Sequence, residues 1–422
     1  MSLYILNKMR VKQSNRVRGI AYLCMAVYFA SYIMRNNFAV MIVKICSDMG
    51  EAKSSLAIIL TAMTVCYGTG QVLSGVLGDK LSPSIMLTAG LSLSAICNAL
   101  MFFADSIPLM TVIWGVNGFA QSMLWPPIVR ILSTYLNDAE YAYASVTVSW
   151  GSSGATILMY LLCPLLLGFM SWRSIILTFA IIGASIAVVW TLVSPRFLVV
   201  APDKLPKAPS DQPIVTETKP IPKFIILPLA LMMFGIILQG VLRDGVTNWM
   251  PSLMNESFGL TEEKSILSTV LLAVFSMLVF VVASFLHTRF FKNEVFFASI
   301  IFAFSLVASI LLYFANRFLG SAVISALLLS LIVAAMHGIN LMLIVIVPKR
   351  FVKSGKVSTF SGILNACTYI GAALSTYGFA ALAENVGWNT TILVWAAIAL
   401  LGFIVCGAIS PLWKRFKKEY AE

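Results

Sequence analysis

Charge is what this sequence has least of. Only 11% of its 422 residues are Asp, Glu, Lys or Arg, and there are just two histidines. A soluble chain of this length needs more polar cover than that, so an ordinary soluble surface is excluded. The seven cysteines, at 24, 46, 66, 97, 163, 367 and 406, stand singly with no CxxC spacing. They read as small buried hydrophobes and as neither a disulfide framework nor thiolate metal ligands. Lone Ser, His and Cys residues occur without a nucleophile motif, a metal cluster or a phosphate-cradling glycine loop, so no enzyme activity, cofactor or metal is expected. The apolar stretch in MSLYILNKMRVKQSNRVRG is too short for a secretory h-region, which makes the first span an uncleaved anchor.

What the chain does have is long apolar runs. Hydrophobic residues make up 59% of it and the mean hydropathy is +0.92. A helix needs about 20 apolar residues to cross about 30 Å of hydrocarbon. Such windows predict twelve spans, near 19–46, 54–77, 84–104, 108–134, 141–169, 174–194, 223–253, 265–287, 294–315, 319–347, 357–383 and 389–411. The windows are continuously apolar, so an all-α membrane bundle is expected and a β-barrel, whose strands alternate, is not. Basic residues cluster on the side of the two termini (Lys8, Arg10, Lys12, Arg16, Arg18, Lys80, Arg289, Lys292, 349–356 and 414–418, with five more in the central loop). The opposite side has Lys44, Lys53, Arg173, Lys264 and Arg317. The positive-inside rule puts both termini in the cytosol of a cell-membrane protein. That bias also accounts for the net charge of +12 as a rim beside anionic lipid, so no nucleic-acid partner is implied.

Between Pro195 and Pro222 the composition turns to proline and charge. This predicts a six-helix half at 1–195, a cytosolic linker at 196–222 and a second six-helix half at 223–422. The first span of each half carries a lone arginine, Arg35 in Ile-Met-Arg-Asn and Arg243 in Val-Leu-Arg-Asp. A guanidinium near the middle of a bilayer costs about 2.5–3.5 kcal/mol on insertion scales and cannot deprotonate to escape. It does offer a permanent charge and a flat fork of donors that fits two oxygens of a phosphate or carboxylate. An anionic ligand is therefore expected. Parallel six-span repeats resemble the plan of the major facilitator superfamily, in which the site lies between the halves near the midplane. GVLGDKLSP at 75–83 resembles the loop motif of that superfamily, with Asp79 and Lys80 placed to cap helix ends.

More specific motifs follow in order along the chain. They are Arg35 with Asn36-Asn37-Phe38, Gln121-Ser-Met-Leu-Trp-Pro-Pro127 with Arg130, Leu242-Arg243-Asp-Gly-Val-Thr-Asn-Trp249-Met-Pro251, Val347-Pro-Lys-Arg350, and Tyr369-Ile-Gly371 to Gly387-Trp388. In these the sequence is similar to the organophosphate:phosphate antiporters, the family of the bacterial glycerol-3-phosphate and hexose-phosphate transporters. The resemblance implies that Arg35 and Arg243 carry the phosphate, and that a small anionic substrate is exchanged for phosphate by alternating access in a monomer.

Around the arginines, Tyr32, Asn36, Tyr67 and Gln71 are candidate contacts. Gln121, one turn before Trp125, could offer its amide to a substrate hydroxyl. Arg130 reads as a gate or snorkelling residue, and Asp244 as a salt-bridge partner of Arg243 or a proton site. Two positions depart from the family pattern. Its span-five histidine falls on Gly151 and its span-two lysine on Gln71, so two cationic donors are missing. His337 is placed to restore one. Two other readings stay open: a membrane receptor for a phosphorylated metabolite on the same fold, and a proton-coupled organic-anion symporter working through Asp244.

Overall fold

A computed structural model describes residues 15–51, 53–198, 220–261, 264–265 and 268–421. Most of the expected linker, at 199–219, and the basic residues Lys8, Arg10 and Lys12 lie outside the described residues. The described residues form helices and turns and no strand. Twelve helices among them are long and apolar enough to span a membrane. In the first half these are α1 (Asn15–Val40), α2 (Ser55–Lys80), α3 (Pro83–Met101), α4 (Ile107–Tyr135), α5 (Asp138–Leu167) and α6 (Trp172–Phe197). The second half has α7 (Lys223–Phe258), α8 (Val270–Arg289), α9 (Glu294–Leu319) and α10 (Ala322–Ser354). Its last two, α11 (357–386) and α12 (388–416), are helical throughout except at Gly387, whose φ of 78° only glycine adopts readily.

The ends follow local chemistry. Asn137 and Glu140 form a reciprocal capping box at the start of α5, with both bonds at 2.9 Å, and Asn293 caps α9. Two elements differ from expectation. The apolar window of the first span continues to 46, but α1 stops at Val40 and a short helix, Ile42–Met49, follows Met41. The break comes just after Asn37, whose side chain accepts from the Phe38 amide at 2.8 Å. In α4 the helix pauses at Met123 and Leu124 and restarts at Trp125, with Pro126 and Pro127 in the first turn, where their missing N–H groups leave no helical bond unmade. Gln121 and Trp125 are therefore on separate helical segments and not on one continuous turn as expected.

The chain divides into two compact units, Met1–Lys219 with Val352–Thr359, and Pro220–Phe351 with Phe360–Glu422. Inside the first, Trp114, Trp172 and Trp190 are fully buried; inside the second, Trp395 and Trp413 are. Phe103, Phe169, Leu192, Phe318 and Val323, by contrast, are more than two-thirds exposed, an arrangement that lipid covers and water does not. The second unit also buries a charge. Glu294, at the start of α9, has no exposed surface and accepts from Arg350 (2.9 Å to Nε), Lys417 (3.1 Å) and the Trp413 indole (2.9 Å).

Candidate functional site: two arginine centres

In the first unit, Arg35 is half-buried on α1, and its guanidinium carbon lies 4.2 Å from the ring centre of Tyr67 on α2 and 5.6 Å from that of Tyr32. Both distances are within cation–π range. Tyr28 extends this aromatic wall, 5.1 Å from Tyr32 and 5.0 Å from Trp125. The structure thus brings Arg35, Tyr32 and Tyr67 together, and Asn36 is half-buried next to Arg35 in the chain.

Behind Arg35 lies a buried polar network. The carbonyl of Met34 accepts from the side-chain amides of Asn98 on α3 at 3.0 Å and Asn117 on α4 at 3.2 Å. Asn37 donates to Asn98 at 2.7 Å, and Ser94 donates to Asn117 at 2.7 Å. Gln121 completes the set, donating to the Ser94 hydroxyl at 2.7 Å and accepting from Ser31 at 2.5 Å. Both ends of the Gln121 amide are engaged inside the bundle, with 1% of the residue exposed, so it holds helices together here. Sequence reading does not single out Ser31, Ser94, Asn98 and Asn117. Their signal is the i, i+4 spacing of polar residues, Ser94 with Asn98 and Asn117 with Gln121, inside otherwise apolar spans.

The two positions that depart from the family pattern are both sealed into packing. Gln71 is fully buried and donates to the Ser122 carbonyl at 3.4 Å. At Gly151, a Cβ would stand 2.6 Å from the backbone oxygen of Met25, so α5 approaches α1 too closely for any side chain. The loop motif is equally specific. Asp79 accepts from the backbone amides of Ser358 and Thr359 at 2.8 and 2.9 Å, in the first turn of α11, within the 352–359 segment that belongs to this unit. A carboxylate there satisfies otherwise unpaired N–H groups and meets the positive end of the helix dipole. Ser358 also donates to the Pro126 carbonyl at 3.3 Å. Arg130 donates to the carbonyls of Gly78 and Leu81, the latter at 2.9 Å, and so closes the C-terminal end of α2.

In the second unit, Arg243 and Asp244 are adjacent on α7. The Arg243 Nε and Nη2 donate to the two carboxylate oxygens at 2.8 and 2.9 Å. His337 on α10 packs against Phe280 of α8, with ring centres 5.7 Å apart. Gln239, one turn before Arg243, donates to the carbonyl of Met336 at 3.1 Å, which fixes the turn that carries His337. Arg243 and Asp244 thus form an ion pair, and Gln239, which sequence reading does not single out, ties their helix to the turn that carries His337.

Each unit offers a delocalised cation among hydroxyl, amide and imidazole groups, an arrangement that can hold oxyanions and has no grouping of metal ligands among the described residues. Comparison with known proteins agrees with the fold. The chain is 25% identical over 401 residues to a glycerol-3-phosphate transporter of Bacillus subtilis, covering 89% of this chain and 88% of that protein. It is 24% identical over 409 residues to a probable hexose phosphate transport protein of Chlamydia trachomatis, covering 92% and 88%. The crystal structure of the transporter FucP in its outward conformation superposes with a TM-score of 0.66 at 15% identity, covering 92% of this chain and 97% of that one. Residues 24–376, more than half of the chain, match the Major Facilitator Superfamily, and the chain belongs to that superfamily as a twelve-span membrane protein resembling its organophosphate:phosphate antiporters.

Proposed function

We propose that this protein is a secondary active transporter of an organic anion, a phosphorylated metabolite exchanged for inorganic phosphate. Arg35 in the first half and Arg243 in the second are its anion-binding arginines. Tyr32, Asn36 and Tyr67 contribute on the side of Arg35, and His337 on the side of Arg243. The observation that carries this reading is the placement of each arginine inside an apolar span, held by its surroundings at half-burial. A guanidinium kept inside such a span without a job is rare, because it is costly there. The names of the two relatives that match most of the chain support phosphorylated glycerol or hexose as the starting substrates. The distribution of its basic residues supports a place in the cell membrane with both termini cytosolic.

The test is uptake by proteoliposomes. Vesicles loaded with phosphate and containing the purified protein should accumulate labelled glycerol 3-phosphate or hexose 6-phosphate. Arg35→Lys and Arg243→Lys should each remain folded and lose most binding, since a point ammonium cannot reproduce the planar fork. Normal phosphate affinity in either variant removes that arginine from the site.

A further inference from the structure

We propose that Asp244 is a specificity-determining residue, which selects singly charged anions over doubly charged ones at Arg243. The inference rests on the anion-binding reading above and narrows it to a charge class of substrate: sulfate esters, sulfonates, phosphodiesters, or phosphate esters in their singly protonated form.

The geometry that carries it is the pairing of neighbours on α7. Side chains at i and i+1 leave a helix on different sides and do not ordinarily face each other. Here they turn to meet, so that both carboxylate oxygens receive one guanidinium donor each, at 2.8 and 2.9 Å. Both side chains are largely withdrawn from solvent, 14% exposed for Arg243 and 25% for Asp244. An anion that engages Arg243 must share the guanidinium with Asp244 or take the place of that carboxylate. Sharing sets the ligand's charge beside another negative charge in a poorly screened environment. Displacement leaves a carboxylate without its charge-assisted bonds. Both penalties act harder on a ligand of charge −2 than on one of charge −1: the first because repulsion scales with ligand charge, the second because Asp244 stays close by after it is displaced.

The first unit gains no extra cation at the two positions that depart from the family pattern. Gln71 is neutral and committed to the Ser122 carbonyl. Gly151 has no room for a side chain against Met25. These are the two positions where the resembling family carries a lysine and a histidine. This chain therefore lacks two cations and holds a carboxylate directly on one of its arginines.

Sulfate and phosphate esters of the same alcohol form a matched pair. They share size and tetrahedral shape, but at about pH 8 the phosphate ester is mostly a dianion, its second pKa being about 6, while the sulfate ester carries one charge. Binding of glycerol 3-sulfate, glycerol 3-phosphate, glucose 6-sulfate and glucose 6-phosphate to the full-length purified protein in lipid nanodiscs should be measured at that pH. The sulfate ester of each pair should bind about tenfold tighter than its phosphate partner or better. Asp244→Asn should reverse the order, because it keeps the shape of the side chain and removes its charge. If the wild-type protein binds phosphate esters as tightly as sulfate esters or tighter, the filter is wrong while anion transport stands. That comparison decides the matter even if Asp244→Asn does not fold. An unchanged order in a folded Asp244→Asn variant likewise overturns the role of Asp244. If none of the four esters binds, and inorganic phosphate does not bind either, the anion-binding reading fails and this inference fails with it.

Discussion

Asn98 donates a hydrogen bond to the carbonyl of Met34 at 3.0 Å, and Met34 is the residue immediately before Arg35. Asn117 reaches the same carbonyl from a different helix. Two amides converging on one backbone oxygen fix the height and rotation of α1 at its charged residue, so that the guanidinium meets Tyr67 in one geometry. Asn98→Ala removes one of these donors and also the acceptor of Asn37. The expected stability loss is about 1–2 kcal/mol, the range for a buried hydrogen bond between membrane helices with an orphaned partner. Affinity for phosphate should fall as well, with Asn98→Gln restoring part of it. Thermal denaturation and phosphate titration on the same preparation check both. A folded Asn98→Ala protein with full affinity means that Arg35 is positioned by other contacts.

Restoring the histidine of the resembling family at Gly151 should harm this protein. The obstacle to a Cβ is the Met25 backbone oxygen at 2.6 Å, which cannot swing away as a flexible side chain could. Overpacking of this kind costs about 1–3 kcal/mol. Gly151→His should therefore melt several degrees lower, and Gly151→Ala should already show part of the loss. Tighter phosphate binding with an unchanged melting temperature in Gly151→His would show that α5 and α1 can part at no cost.

Glu294 is the most consequential carboxylate for stability. It is fully buried, and Arg350, Lys417 and Trp413 all direct donors at it. Removing one member of such a group strands the others, at a cost of about 3–5 kcal/mol. Glu294→Ala should fold poorly or denature at much lower temperature, with Glu294→Gln less affected because it still accepts from the indole of Trp413. Wild-type thermal stability in Glu294→Ala would show that the cluster is open to water.

At the start of α11, Asp79 accepts from the amides of Ser358 and Thr359. Its replacement by alanine should cost about 1 kcal/mol, the usual value of a helix cap. The loss is local, so hydrogen exchange is the suitable measurement. Amide exchange at Ser358 and Thr359 should speed up in Asp79→Ala while buried amides of α9 stay protected. Unchanged exchange at those two residues would mean that the carboxylate is not what holds them.

Much of this is legible in the sequence, for a physical reason. A span needs only length and continuous hydrophobicity, which single windows report, and Arg35 and Arg243 stand out because charge is costly where they sit. What escapes is relational. Asn98 and Asn117 look like ordinary polar residues in a span until their common acceptor at Met34 is seen. Glu294 looks like the acidic first residue of a helix, and nothing local announces that Arg350, Trp413 and Lys417 meet on it. Counting along a helix places Gln121 one turn from Trp125, and the count fails because α4 pauses between them ahead of the two prolines. The meaning of Gly151 also depends on a neighbour, the Met25 carbonyl, that no sequence window contains.

Exchange is the expected mode of transport. In the proposed carrier, Arg35 and Arg243 are the anion-binding residues, and each without an anion is a charge held in a poorly solvated span. A bound anion turns the cost of each buried charge into an attraction. A ligand that interacts so differently with the states along the transport path is what can shift their balance. The empty carrier should therefore reorient slowly. Asp244 weakens this coupling, since it already neutralises part of the charge of Arg243, so a slow leak without exchange is expected and should shrink in Asp244→Asn. The measurement is efflux of labelled substrate from vesicles into buffer with and without external phosphate. External phosphate should accelerate efflux about tenfold, which corresponds to a barrier difference of about 1.4 kcal/mol. If efflux into anion-free buffer is just as fast, and collapsing a proton gradient abolishes accumulation, then proton-coupled symport through Asp244 is the mechanism and exchange is not.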